Sequence, residues 1–111
     1  MHLFIDADGC PSVRSAVECA RRHGVAATLV CDTAHRFDLA GAEVVYVDRG
    51  PDSADLCLAN RLSPGDVAIT QDYGLAALCL ARGARAVHPS GMEYTSGNID
   101  SLLLARHTAR K

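Results

Sequence analysis

Tryptophan is absent from the 111 residues, and with three Tyr and two Phe the aromatic share is only 5%. Binding of single strands by stacking successive bases on rings therefore has little support. Tyr73 and Tyr94 are the side chains of the right kind, although a tyrosine packed with its hydroxyl hydrogen-bonded is the commoner fate. Lysine occurs once, as Lys111, so no lysine in the body of the chain is placed to hold a phosphoryl group. The longest strongly apolar segment, LAALCLA at 75–81, is far short of the roughly 20 residues that cross a bilayer. MHLFIDADG carries neither a basic leader nor a long apolar stretch, so a cytosolic protein with no membrane association is expected. The five cysteines at 10, 19, 31, 57 and 79 form no C-x-x-C pair and are odd in number. That excludes an obvious zinc site or closed disulfide framework, and four of them read as small core hydrophobes.

What is present is globular composition, with 49% hydrophobic and 22% charged residues, well away from the polar, highly charged signature of disorder. The length suits one domain spanning 1–111, able to bury roughly two-thirds of the surface of its unfolded chain. A net charge of −2 offers no electrostatic footprint for nucleic acid by itself. Its make-up is more informative: ten of the thirteen acids are Asp and ten of the eleven bases are Arg. Arginine suits bidentate phosphate contacts, while aspartate is common at caps and turns.

Five short apolar runs, HLFI (2–5), ATLVC (27–31), EVVYV (43–47), DVAIT (66–70) and RAVH (85–88), read as strands buried on both faces, the pattern of a parallel sheet. Helical patterns separate most of them. PSVRSAVECARRHG opens with a proline suited to a first turn, sets Val13, Ala16, Val17 and Ala20 on one face and ends at Gly24. PDSADLCLANRLSPG and DYGLAALCLARG follow the same plan, and NIDSLLLARHTARK supplies a C-terminal helix. This alternation predicts a three-layer α/β/α sandwich with a central, mainly parallel sheet and right-handed crossovers. The stretch 31–41 is a connection of undetermined form, and SGMEYTSGN (90–98) is expected to be a surface loop.

In such a sheet ligands bind outside the carboxyl ends of the strands. Asp6 and Asp8 leave the first strand, Asp48 the third, Asp52 and Asp55 follow on the first turn of the next helix, and Asp72 leaves the fourth strand in AITQD. Three connections thus send carboxylates toward one edge. Individually each has an ordinary explanation: Asp52 as a helix cap, Asp66 in SPGD as a turn residue, Asp100 as a first-turn acid. Together they repel one another unless some protonate or a cation intervenes. Oxygen ligands without matching His or Cys suit Mg²⁺ or Mn²⁺, and a pair of such ions is suited to phosphodiester hydrolysis.

A strand ending in D-x-D-G also resembles the first motif of haloacid-dehalogenase-type phosphatases, which implies Asp6 as nucleophile and Asp8 as general acid with Mg²⁺ alongside. The lysine that superfamily needs has no counterpart except Lys111, and Thr70 meets its Ser/Thr motif only weakly. Cys10 lies near a helix N-terminus but has no histidine close in sequence and no long phosphate loop, which argues against a cysteine nucleophile. His88, after the last apolar run, reads as a loop residue near the same edge.

IDADGCP, DRGPDSADLCLANRLSPGDVAITQDYGLA, ARGARAV and GMEYTSGNIDSLLLAR, in that order, resemble the bacterial YaiI/YqxD family of uncharacterised PIN-like proteins over nearly the whole chain. The resemblance implies a PIN-like fold and, by analogy, a Mg²⁺ or Mn²⁺ nuclease site. Asp6 matches the acid ending the first strand, Asp72 that after the fourth strand, and Asp55 with Asp52 those on the middle helix. Asp8 is an extra acid, and Thr70 would orient Asp72 or a metal-bound water. On this reading Asp6, Asp55 and Asp72 hold metal, Asp8 or Asp52 completes the site or acts as base, and Arg14, Arg49, Arg61 and Tyr73 meet substrate. RNA or single-stranded nucleic acid is the expected partner, with homo-oligomerisation open. The alternatives are the phosphatase and a non-catalytic metal-containing binding module.

Overall fold

A computed structural model describes residues 1–7, 10–32, 41–47 and 53–109, with their side chains except at 32, 53–55 and 105–109. The elements run β1 (His2–Asp6), α1 (Val13–Arg22), β2 (Ala26–Asp32), β3 (Ala42–Val47), α2 (Ser53–Arg61), β4 (Val67–Ile69), α3 (Tyr73–Ala81), β5 (Arg85–Val87), β6 (Glu93–Tyr94) and α4 (Ser96–Ala109). All five predicted strands are present. They form one sheet in the order β3-β2-β1-β4-β5-β6, parallel from β3 to β5. Among the described residues only β6 runs antiparallel, pairing Ala86 with Tyr94 and Val87 with Glu93.

Period-two alternation along the buried strands splits the core between two faces. Ile5, Leu29 and Cys31 point to a cluster completed by Val13 and Val17 of α1. Phe4, Val30, Ala68 and Ala86 point the other way, under Leu58, Ala59 and Leu62 of α2 and its flank, Leu75, Ala76 and Cys79 of α3, and Ile99 of α4. The result is the expected three-layer α/β/α sandwich, with α1 on one side of the sheet and α2, α3 and α4 on the other. The stripe read on α1 is real: Val13, Val17 and Ala20 are buried. Cys10, Cys31 and Cys79 are buried and Cys57 is half-buried against the core, four thiols as expected, while Cys19 is exposed.

α3 carries no charged side chain from Tyr73 to Ala81. Its inward residues Leu75, Ala76 and Cys79 are sealed in the core, while Leu78 is 44% exposed. The two faces should respond differently to truncation. Leu75→Ala should cost about 2–5 kcal/mol through lost burial and a residual cavity, and Leu78→Ala, which opens no cavity in the chain's own core, should cost clearly less. Urea midpoints of the two variants check this.

The segment 90–98 is not a surface loop, contrary to the sequence reading. After Val87 the chain turns through residues 88–92, where His88 N–H donates to Met92 O at 2.8 Å and Gly91 N–H donates to His88 O at 2.8 Å. Gly91 has φ of +100°, a left-handed backbone that favours glycine. The returning β6 is fastened by Arg85, which donates to Glu93 through Nε at 2.9 Å and Nη2 at 2.8 Å. It buries Tyr94 completely, and α4 then begins at Ser96, two residues earlier than the sequence pattern suggested.

Tyr94 packs edge-on between Tyr73, at a ring separation of 6.0 Å, and His88, at 6.3 Å. Its hydroxyl donates to the Thr70 carbonyl at 3.1 Å. Burial, with smaller contributions from Tyr73 and the charge of Asp72, pushes the phenol up to about 12. Because the folded value lies above the ordinary value of about 10, the phenol's stabilising contribution is intact below pH 10 and declines as pH rises toward 12. Absorbance titration of the native protein should therefore show one tyrosine ionising near pH 12, with unfolding free energy falling over the same interval. A Tyr94→Phe variant should lack that late step.

Candidate functional site

The sheet order places β1 between β2 on one side and β4 on the other, with the chain moving outward through β2 and β3 before returning to β4. The carboxyl ends of β1 and β4 thus flank a topological switch point, where open α/β sheets form a crevice. Asp6 is the last residue of β1 and Thr70 directly follows β4, each two positions beyond a residue facing α2–α4: Phe4 in one strand and Ala68 in the other. Both point to that side of the sheet, and both are buried, Asp6 at 8% exposure and Thr70 at 0%.

Thr70 ties the two strand ends together. Its Oγ1 donates to Asp6 Oδ2 at 2.8 Å and accepts the Asp72 backbone N–H at 2.9 Å. Its own N–H donates to Val87 O at 3.0 Å, and its carbonyl accepts from Tyr94. A hydroxyl has a single proton; here that proton goes to Asp6, so Oδ2 acts as acceptor. Two residues on, Asp72 caps α3, with Oδ1 accepting from Gly74 N–H at 2.8 Å and Leu75 N–H at 3.2 Å. Aspartate suits this position because it satisfies amides that have no partner within the helix and meets the positive end of the helix dipole.

Cys10 lies near Asp6. Burial raises its thiol pKa and the Asp6 charge adds to the rise, against a lowering hydrogen bond from the Ser12 backbone. The thiol is held protonated, the opposite of what an activated nucleophile requires. Cys10, Ser12, Ser15, Ile69, His88 and Gly91 line a cleft of about 340 Å³ on the α1 side of the same edge. His88 is half-buried there, its Nδ1 accepting the Ser90 N–H at 3.0 Å.

The remaining predicted residues divide by position. Asp55 sits in the first turn of α2, whose N-terminus lies at the carboxyl edge of the sheet and whose core residues cover the face to which Asp6 points; its side chain lies outside the described residues. So do Asp8, Asp48, Asp52 and Arg49. Tyr73 opens α3 beside Asp72 and is half-buried. Arg14, exposed in the first turn of α1, shares the carboxyl edge. Arg61 does not: it ends α2 and pairs with Glu43 near the start of β3, at 3.7 Å, on the opposite edge of the sheet. Asp66 behaves as the turn residue expected, accepting from Ser63 N–H at 2.9 Å, and it also anchors the first strand through His2 N–H at 3.0 Å.

Sequence reasoning missed Tyr94 as the support beneath Thr70. The available signal was the glycine-bounded G-M-E-Y stretch, in which Glu93 can pair across a hairpin with Arg85. Among the described residues no three His, Cys, Asp or Glu side chains are grouped as a metal site. Asp6, Asp72 and the Thr70 hydroxyl form an oxygen-only donor set, the chemistry Mg²⁺ and Mn²⁺ use when they retain water and bind through one or two carboxylates. In donor type alone that set matches such an ion.

Comparison with known proteins gives a consistent family and no activity. A UPF0178 protein of Exiguobacterium sibiricum is 47% identical over 111 residues, covering 100% of this chain and 76% of the relative. One from Natranaerobius thermophilus is 45% identical over 107 residues, covering 96% of this chain and 73% of the relative. One from Clostridium tetani is 40% identical over 111 residues, covering 100% and 76%. No solved structure matches the chain. The model of an uncharacterised BCR family, YaiI/YqxD, matches residues 4–111, and with relatives this similar along the whole chain the protein belongs to the YaiI/YqxD family.

Proposed function

We propose that this protein is a Mg²⁺- or Mn²⁺-dependent nuclease that hydrolyses phosphodiester bonds in RNA or single-stranded nucleic acid in the cytosol. The observation that carries this reading is the Asp6–Thr70–Asp72 arrangement at the switch point: two acidic residues from separate strand ends, linked by one buried hydroxyl. The analogy with PIN-type nucleases supplies the reaction class, and the chemistry of the donor set supports the ion. A fold likeness alone would not suffice. No helix among the described residues is long and apolar enough to cross a membrane.

In this reading Asp6 and Asp72 hold the cation, Asp55 approaches from the first turn of α2, and Asp8 or Asp52 acts as base or completes the site. When bound, the cation supplies a deprotonated water near neutral pH and offsets charge on the leaving oxygen. Thr70 fixes the direction of the Asp6 carboxylate, and the capping bonds fix that of Asp72, so neither must reorganise as substrate arrives. Arg14, on the same edge but on the α1 side of the sheet, would make a phosphate contact. Arg61, on the far edge, would not, which leaves Arg49 as the other candidate. Tyr73, half-buried beside Asp72, would be the ring to meet a base.

Asp72→Asn separates chemistry from folding, since asparagine caps a helix about as well as aspartate but lacks the charge. Purified protein should cleave labelled RNA in the presence of Mn²⁺. Asp72→Asn should retain the parental melting temperature while losing activity by a factor on the order of 10² or more, the scale of removing one preorganised contact to developing charge. Equal cleavage by parent and variant, or no metal-dependent cleavage by the parent, would overturn the proposal. Hydrolysis of small phosphate monoesters with phosphate trapped on Asp6 would point to the phosphatase instead.

A further inference from the structure

We infer that two copies of this chain associate through α3, packed antiparallel about a two-fold axis. A helix that is apolar on every side belongs in an interior, and α3 is such a helix, with no charge between Tyr73 and Ala81. The sheet, α2 and α4 cover only part of it. Leu75, Ala76 and Cys79 are buried, yet Leu78 is 44% exposed and Ala81 is also exposed. Gly74, Leu78 and Ala81 lie at i, i+4 and i+7, one stripe along the outer surface. A Cβ built at Gly74 would meet nothing within 4 Å except Asp72 Oδ1, so the outer side of that position is open. α4, packed beside α3, exposes Leu104 at 65%, adding apolar surface to the same helical layer.

The charges at the two ends of α3 identify the occupant. Gln71 and Asp72 precede the helix, and Arg82 follows it as an exposed C-cap residue, donating to Asn60 Oδ1 at 3.3 Å. A two-fold interface is self-complementary: whatever residue i meets, its copy meets in return. With the axis between Ala77 and Leu78, Gly74 of one copy faces Ala81 of the other, and Arg82 of each copy lies across from the first residue of its mate's helix, beside Asp72. The helix dipoles oppose one another, each negative end beside a positive one. A parallel pairing would instead set Arg82 against Arg82. The antiparallel pair therefore buries the uncharged stripe and matches opposite charges at both ends, while glycine opposite alanine permits close backbone approach. It also brings a guanidinium from the second copy to the edge of the sheet that carries Asp6 and Asp72.

Sedimentation equilibrium over a micromolar concentration series tests the arrangement. The parent should move from the 11.7 kDa of one chain toward twice that mass as concentration rises. Leu78→Glu, at an exposed position, should keep the parental far-UV spectrum and remain at single-chain mass. Arg82→Glu should weaken association by setting a second carboxylate against Asp72 of the mate, and adding Gln71→Arg to that variant should restore it, because the new guanidinium lies near the substituted position 82 of the other copy only in the antiparallel register. A parent that stays at single-chain mass at every concentration overturns the inference and assigns the α3 face to a different partner. So does an oligomer insensitive to Leu78→Glu, or failure of Gln71→Arg to rescue Arg82→Glu.

Discussion

The Thr70 hydroxyl is the point at which the sheet, the helix layer and the acidic edge meet. It lies at zero exposure, where an unpaired hydroxyl would cost about 1–3 kcal/mol. Instead it donates to Asp6 and accepts from the Asp72 amide, while the backbone of the same residue is held by Val87 and Tyr94. Every polar group of Thr70 is thereby engaged with a different element. The end of β4 cannot shift without disturbing β1, β5, β6 or the start of α3.

This arrangement follows from topology. A parallel sheet buried on both faces leaves its strand ends as the places where backbone polarity and side-chain charge can be accommodated. The reversal of strand order between β1 and β4 opens a gap there that no crossover helix fills directly. Asp6 is nearly buried because the strand that carries it is central. It tolerates that position because the hydroxyl, itself oriented by an amide, presents a hydrogen to it. Asp72 follows Thr70 by two residues, with an oxygen committed to the α3 cap. Both carboxylates are therefore oriented by the fold itself, and the cost of that order is met during folding.

Much of this is legible in the chain itself. The five apolar runs identify themselves as strands by their short, Val-, Ile- and Leu-rich character, although β3 at the sheet edge is only half-buried, and Val13, Val17 and Ala20 identify the α1 face by their spacing. Asp6, Thr70 and Asp72 can be placed at one edge because each follows a recognisable run. The limits are equally physical. β6 contributes two residues, too few for a period-two pattern to emerge, so Tyr94 looked like part of a loop although its decisive bond reaches back 24 residues to Thr70. Arg61 lies close in sequence to Asp52 and Asp55, but the nine residues of α2 span about 13 Å at 1.5 Å per residue and carry it to the other edge. Proximity along a helix is not proximity at a site. Membership of the YaiI/YqxD family supplies no chemistry on its own, so the functional reading rests on the carboxylates and the group that joins them.

A double-mutant cycle on Asp6 and Thr70 asks directly whether that joining bond is energetically real. Thr70→Val removes the hydroxyl at nearly constant shape, Asp6→Ala removes its acceptor, and unfolding free energies of the parent, both single variants and the double variant give the coupling between them. A coupling of about 1 kcal/mol or more, within the range found for groups in direct contact, is the predicted result. Costs that simply add, to within about 0.3–0.5 kcal/mol, would show that the two strand ends are held independently and contradict the role assigned to Thr70.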